Sequence, residues 1–273
     1  MPKFKLEYDR VPANPPYKFA QKILKEAQKM GATEIESLGG GSTIDTAKFV
    51  AYNMGIPHTA IPTTAGTGSE VTRFAVFIKD GKKFSMDDPK LIPQNYILKP
   101  ELITTLPPLH TASSGLDALS QCIESYWSPN ATKESRKYSR DGIKYIMSNL
   151  YLSYVNPGTE LFRQKMQWAA NYSGRAINIT TTSICHAISY PLTVHYDLPH
   201  GIGCALTLPF WIKYFGLSHV ISPRRVEALM KALNVKVPKF DKDLVATEAL
   251  KSKRSKNVPK EINKKLIIEA LNL

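Results

Sequence analysis

The stretch Ile35-Glu36-Ser37-Leu38-Gly39-Gly40-Gly41-Ser42-Thr43-Ile44-Asp45 decides how this chain is read. Residues 35–38 have the composition of a short strand, and they run directly into three glycines and a serine. The spacing then predicts a helix from Thr43 to about Asn53, stopped by Gly55 and Pro57. Strand, glycine turn and helix in that order suit an anion. Glycine lets the backbone approach with no side chain in the way, and the free N–H groups and positive dipole end of the helix favour a pyrophosphate. Ser42 can cap the helix, and Asp45, three residues on, completes a capping-box-like start. Such a turn is equally often only a tight turn. A second loop, Pro62-Thr63-Thr64-Ala65-Gly66-Thr67-Gly68-Ser69-Glu70, follows another strand pattern and is rich in hydroxyls and glycine. Together the two loops make Gly39, Gly40, Gly41, Ser42, Asp45, Thr63, Thr64, Thr67 and Ser69 candidate contacts for phosphate and ribose.

Outward from that turn, the first half of the chain alternates strand and helix patterns as βαβ units do. Residues 16–30 read as a helix with Phe19, Ile23, Leu24 and Ala27 at helical spacing, and 59–61, 75–78 and 96–98 read as strands. From about Pro108 onward the pattern is helical: 112–127, 133–151, 159–179 and 183–196 each show a 3.6-residue apolar period, with breaks at Pro107-Pro108, Pro129 and Pro157. The expected architecture is an α/β domain over 1–108 followed by an all-α domain over 109–273.

Composition excludes several classes. Of 273 residues, 43% are apolar, which sets the chain apart from disordered sequences. Residues 1–5 lack the apolar core of a secretory leader. The most apolar run, 201–212, is well short of the roughly 20 residues that span a bilayer. The cysteines, Cys122, Cys185 and Cys204, are scattered and include no CxxC pair. A reduced, cytoplasmic protein is expected. The net charge of +13 raises nucleic acid as a partner. Its densest basic stretch, 251–265, carries no nucleic-acid motif and reads as a solvated helix face plus linker.

The helix at 112–127 contains GLDALSQCIE at 115–124. Asp117 and Gln121 are four apart and share a face, with Glu124 a turn further along; Leu116, Leu119, Ile123 and Tyr126 take the apolar side. His186 opens a later helix, and His200 follows in Leu198-Pro199-His200-Gly201. Each histidine alone is more often a packed residue than a ligand. The ordered set of oxygen and nitrogen donors suits Fe(II) or Zn(II). Cys122 and Cys185 flank these positions and are expected to be small buried hydrophobes without a nucleophilic role.

GGGSTIDTAK at 39–48, PTTAGTGSEVT at 62–72, GLDALSQCIE at 115–124 and the His186/His200 pair resemble the iron-containing alcohol dehydrogenase family, in family order and spacing, from about residue 4 to 270. Ser120-Gln121, the stretch 124–128 and residues 173–193 most resemble its phosphonoacetaldehyde reductase branch. The resemblance implies a dehydroquinate synthase-like architecture: a Rossmann-like sheet, here lacking the family's usual opening βαβ stretch, then a helical domain. It also implies an NAD(P)H-linked reductase with a divalent metal bound between two domains, and a homodimer. By motif match Asp117, Gln121, His186 and His200 would be the metal ligands, and the two loops would hold the dinucleotide. Gln121 stands where the common pattern has histidine, and Tyr190 where many members have a second histidine near the nicotinamide.

In such a reductase the metal acts as a Lewis acid on an aldehyde oxygen while the cofactor supplies hydride. His195 and Tyr190 are the candidate catalytic residues for moving the proton. Arg73 and Arg175 are candidates for an anionic substrate such as phosphonoacetaldehyde, because guanidinium binds phosphonate oxygens bidentately. Reduction of that aldehyde to 2-hydroxyethylphosphonate is the leading expectation. A catalytically impaired member that only binds metal and a dehydroquinate synthase-type lyase are the alternatives. No nucleic-acid or membrane partner is expected.

Overall fold

The computed structural model describes residues 10–272; the stretch 1–5, read above for a leader, lies outside them. The described residues form two compact units, one up to Thr64 with Ser69–Lys99, the other Ala65–Gly68 with everything from Pro100 onward.

The first unit holds α1 (Tyr17–Met30), β1 (Ile35–Gly39), α2 (Gly41–Met54), β2 (His58–Pro62), β3 (Phe74–Lys79), β4 (Lys82–Asp87) and β5 (Asn95–Tyr96). A parallel sheet runs β1-β2-β5, with Gly39 opposite Pro62. Parallel neighbours need a crossover, and α2, which begins within the glycine turn at Gly41 and so two residues before the expected Thr43, supplies it. β3 and β4 form a separate hairpin. Its two-residue turn, Asp80-Gly81, has φ of 52° and 71°, the paired positive values that a tight hairpin requires. β4 has no clear strand signature in sequence, because Lys82-Lys83-Phe84-Ser85-Met86-Asp87 is charged and mostly solvated. On α1 the expected spacing holds: Ala20, Ile23 and Ala27 are buried against Phe49, Val50 and Phe77. Tyr17 packs edge-on against Phe49, Phe77 and Phe84 at 5.4–5.8 Å between ring centroids.

The second unit is helical: α3 (Pro108–Trp127), α4 (Lys133–Val155), α5 (Glu160–Thr180), α6 (Ile184–Tyr196), α7 (His200–Ala205), α8 (Leu208–Tyr214), α9 (Pro223–Ala232), α10 (Lys242–Lys251) and α11 (Lys264–Ala270). α3 begins earlier than its apolar period suggests because Pro108 suits the first helical turn. It is the unit's central helix, flanked by α4, α5 and α7. Both its faces are therefore buried: Leu116, Leu119 and Ile123 on one, Asp117, Gln121 and Glu124 on the other. A polar helix face sealed from water needs partners for every charge. Among the described residues no helix is long and apolar enough to cross a membrane.

Candidate metal centre

Three segments of the helical unit, α3, the start of α6 and α7, meet at the buried polar face of α3. Glu124, fully buried, accepts backbone N–H bonds from Ser183 (2.9 Å) and His186 (3.1 Å). Ser183 precedes α6 and provides no side-chain cap. The carboxylate from α3 thus satisfies donors at the start of α6 and lies at the positive end of that helix. The same carboxylate meets Nδ1 of His186 at 2.5 Å, and Nε2 of His186 lies 3.2 Å from Oδ1 of Asp117.

The third segment is α7, which opens on His200. A Cβ on Gly201 would lie 1.8 Å from the Ser113 carbonyl oxygen and 2.8 Å from the Asp117 nitrogen. Only glycine permits that approach, which sets the first turn of α7 directly on the α3 backbone and brings Nε2 of His200 to 4.0 Å from Oδ1 of Asp117. The Ser189 hydroxyl donates to the His186 carbonyl (2.8 Å), so its oxygen accepts from Nδ1 of His200 (3.1 Å). That tautomer leaves Nε2 of His200 with its lone pair. Cys204, one turn along α7, lies with Sγ 3.7 Å from the same Nε2. Asp117, His186, His200 and Cys204 offer donor atoms that all lie within 4.8 Å of one another.

The charge balance of this cluster asks for a cation. Burial works against protonating His186, yet the Cys204 sulfur, Glu124 and Asp117 together raise its pKa well above the usual imidazole range. A divalent ion on the Nε2 side answers the same demand, with Glu124 behind His186 as the carboxylate–histidine arrangement common around metal ligands. The donors present fit such an ion. Gln121 lies one turn after Asp117, with Oε1 2.8 Å from the Ser173 hydroxyl, which is also 2.8 Å from the Ala170 carbonyl. A hydroxyl has one proton, so it serves these two acceptors in turn.

The remaining candidates divide. Tyr190 stacks on His200, with ring centroids 5.9 Å apart and planes at 14°. His195 is bound instead to Glu248 at 3.1 Å, a half-exposed pair. Arg175 donates to Asn171 (2.8 Å) and lies over the Tyr138 ring. Arg73, in the other unit, pairs with Asp87 at 2.7 Å. Arg254, inside the basic stretch read as solvated, is only half-exposed. It donates to the Thr182 hydroxyl and lies over the Tyr190 ring at 5.8 Å. Burial raises the pKa of the Cys122 and Cys185 thiols, in line with packed, unreactive residues.

In the α/β unit, the capping expected of Ser42 and Asp45 is not made. Gly40 is the N-cap of α2 and no side chain caps the helix. The Ser42 oxygen accepts from the Asn14 N–H, and Asp45 is buried, taking the Ser69 hydroxyl at 2.5 Å and the Val76 N–H at 2.9 Å. The cause is steric and electrostatic: Asp45 faces inward beside Lys48 (3.8 Å), whose ammonium is held by Thr72 and Phe74 carbonyls. The first amides of α2 are thereby free of side-chain caps, as an anion site needs. Thr63 donates its N–H to the Gly39 carbonyl (2.9 Å), and a Cβ on Gly40 would sit 3.3 Å from the Thr64 methyl. Thr67 lies in Ala65–Gly68, the part of that loop packed with the helical unit.

Sequence reading overlooked Cys204, Glu124 as an orienting group, and Arg254. For Cys204 the signal was present as the i, i+4 step from His200. Glu124 was visible seven residues after Asp117. Nothing in the sequence marks Arg254.

The chain joins a parallel α/β unit that carries a glycine turn to a helical unit that carries a buried carboxylate–imidazole cluster. Residues 3–100 match the iron-containing alcohol dehydrogenase description and residues 111–255 the C-terminal part of the Fe-containing alcohol dehydrogenase family. The chain belongs to the iron-containing alcohol dehydrogenase family. A phosphonoacetaldehyde reductase of Streptomyces viridochromogenes is 40% identical over 219 residues, covering 70% of this chain and 55% of that protein. The chain thus spans little more than half the length of that relative. Sulfoacetaldehyde reductase from Bifidobacterium kashiwanohense, solved in complex with NAD+, superposes with a TM-score of 0.86 at 25% identity, over 96% of this chain and 81% of that one. An iron-containing alcohol dehydrogenase from Thermotoga maritima gives 0.86 at 28% identity, over 97% and 83%.

Proposed function

We propose that this chain serves an NAD(P)H-linked, metal-dependent reduction of a small aldehyde to its alcohol, with phosphonoacetaldehyde as the substrate of first choice. The observation that carries the reading is the convergence of Asp117, His186 and His200, with Glu124 behind His186. Asp117, His186 and His200 would hold the ion, with the Gln121 oxygen as the further donor the family resemblance implies. A divalent ion there supplies a Lewis acid for the carbonyl oxygen. The chain's own residues do the rest. Glu124 fixes the orientation of His186, and Ser189 fixes the tautomer of His200. Tyr190, stacked on His200, is favoured over His195 for handling the proton, since His195 is engaged with Glu248.

The nicotinamide cofactor would be held through the turn Gly39–Gly40 and the uncapped start of α2 at Gly41 and Ser42, with Thr63, Thr64 and Thr67; Asp45 and Ser69, bonded to each other, support that turn. An anionic tail would meet Arg254, a cation that pairs with no carboxylate among the described residues, in preference to Arg73 and Arg175, which have partners of their own. Similarity to phosphonoacetaldehyde and sulfoacetaldehyde reductases supports an anionic aldehyde. Three free, buried cysteines suit a reducing cytoplasm, and the family resemblance suggests a homodimer. The test is reconstitution with Zn(II) or Fe(II), following NADH or NADPH absorbance with phosphonoacetaldehyde. Metal-dependent oxidation of the cofactor, lost in His200→Ala, is expected. Stoichiometric metal without turnover would instead support the metal-binding-only alternative.

A further inference from the structure

We propose that Cys204 is itself a metal ligand, completing a carboxylate–imidazole–imidazole–thiolate site that selects zinc or a similarly thiophilic ion. The inference rests on the metal reading above and extends it to a residue that the family pattern did not mark. Cys204 is buried on the inner side of α7, one helical turn from His200. A tetrahedral ion with bonds of about 2.0–2.1 Å to oxygen and nitrogen and about 2.3 Å to sulfur needs its donors roughly 3.3–3.6 Å apart. The recorded separations are 3.2 Å from His186 Nε2 to Asp117 Oδ1, 3.7 Å from His200 Nε2 to Cys204 Sγ, and 4.0 Å from His200 Nε2 to Asp117 Oδ1. Small side-chain rotations close the remaining difference. The donors come from separate elements, α3, α6 and α7, and Gly201 fixes α7 against α3.

The chemistry follows from the donor set. Binding replaces the thiol proton with the metal and releases that proton to water. A thiolate adds negative charge and a soft donor where glutamine stands at 121, and soft donors favour zinc over iron or manganese. Retention should therefore be strongest for zinc, with Gln121 secondary to Cys204.

Cobalt(II) substitution of the full chain tests this by absorption spectroscopy. The expected result is a near-ultraviolet sulfur-to-cobalt charge-transfer band beside the visible d–d bands of a tetrahedral site. The band should vanish in Cys204→Ser while persisting in Gln121→Ala. Visible d–d bands without a charge-transfer band in the unaltered chain would overturn the sulfur ligand and leave the metal reading standing. No cobalt spectrum at all would overturn both. The unaltered chain alone separates these outcomes, so the result does not depend on how well Cys204→Ser folds.

Discussion

Glu124 and His186 are joined twice: Oε2 of the carboxylate lies 2.5 Å from Nδ1 of the ring, and Oε1 accepts the backbone N–H of the same histidine at 3.1 Å. One side chain on α3 therefore sets the position, rotation and tautomer of the histidine that opens α6. Orienting partners of this kind contribute about 10–100-fold to metal affinity. Glu124→Gln keeps the volume and removes the charge. We expect metal retention against a chelator to fall by about that factor with an unchanged far-ultraviolet spectrum. Equal retention would remove Glu124 from the site.

Gly201→Ala places a methyl group within overlap of the Ser113 carbonyl oxygen. α7 must move away from α3, taking His200 with it. The chain should lose about 1–3 kcal/mol of stability, typical of overpacking, and retain less metal. Ala at Gly158, where no atom lies within reach of an added Cβ, is the matched control and should keep its metal.

Thr181 follows α5 with φ 64° and ψ 176°, a conformation suited to glycine. Asn257 holds it there, donating to the Thr180 carbonyl, the Thr181 hydroxyl and the Thr182 carbonyl. Thr181→Gly should raise stability by about 1 kcal/mol in urea unfolding through relief of that strain. A lower midpoint would show that the threonine contacts outweigh the strain.

His58 lies in the parallel sheet, 2.8 Å from the Ser37 hydroxyl, and burial, reinforced by Lys48, lowers its pKa to about 4 from 6.5. Between those values the unfolded chain binds more protons than the folded one. The group's contribution is full above pH 6.5 and is lost as pH falls through the window toward 4, by roughly 3 kcal/mol in total. Thermal midpoints across that window should drop more steeply for the unaltered chain than for His58→Gln. Parallel slopes would assign the acid lability elsewhere.

Arg254→Met should raise KM for an anionic aldehyde while leaving KM for a neutral aldehyde of similar size nearly unchanged, because the Tyr190 ring keeps an apolar neighbour. Equal effects on both substrates would give Arg254 a packing role.

Local pattern was enough for the elements that make their own signal. α1 and α3 to α6 follow from the 3.6-residue period, and β1, the glycine turn and α2 follow from composition. β4 escaped because its charges hide a strand whose register is set by the Asp80-Gly81 turn and by β3. α7 escaped because a short helix opening on Pro199-His200-Gly201 carries too few residues for a period.

Sequence by itself determined the family and the α/β-then-helical order, and it set out Asp117, Gln121, His186 and His200 as candidate donors. Each depends on residue type and short spacing, which survive without coordinates. Only tertiary structure decided what those residues touch. It turned Asp45 inward to Ser69 and Val76, sent His195 to Glu248, and drew Arg254 out of a basic run onto Tyr190. It also brought the His200–Cys204 turn of α7 within reach of Asp117 and His186. The reason is physical: a buried charge must be matched by whatever groups the packing of distant segments brings within a few ångströms, and those segments are separated along the chain by dozens of residues.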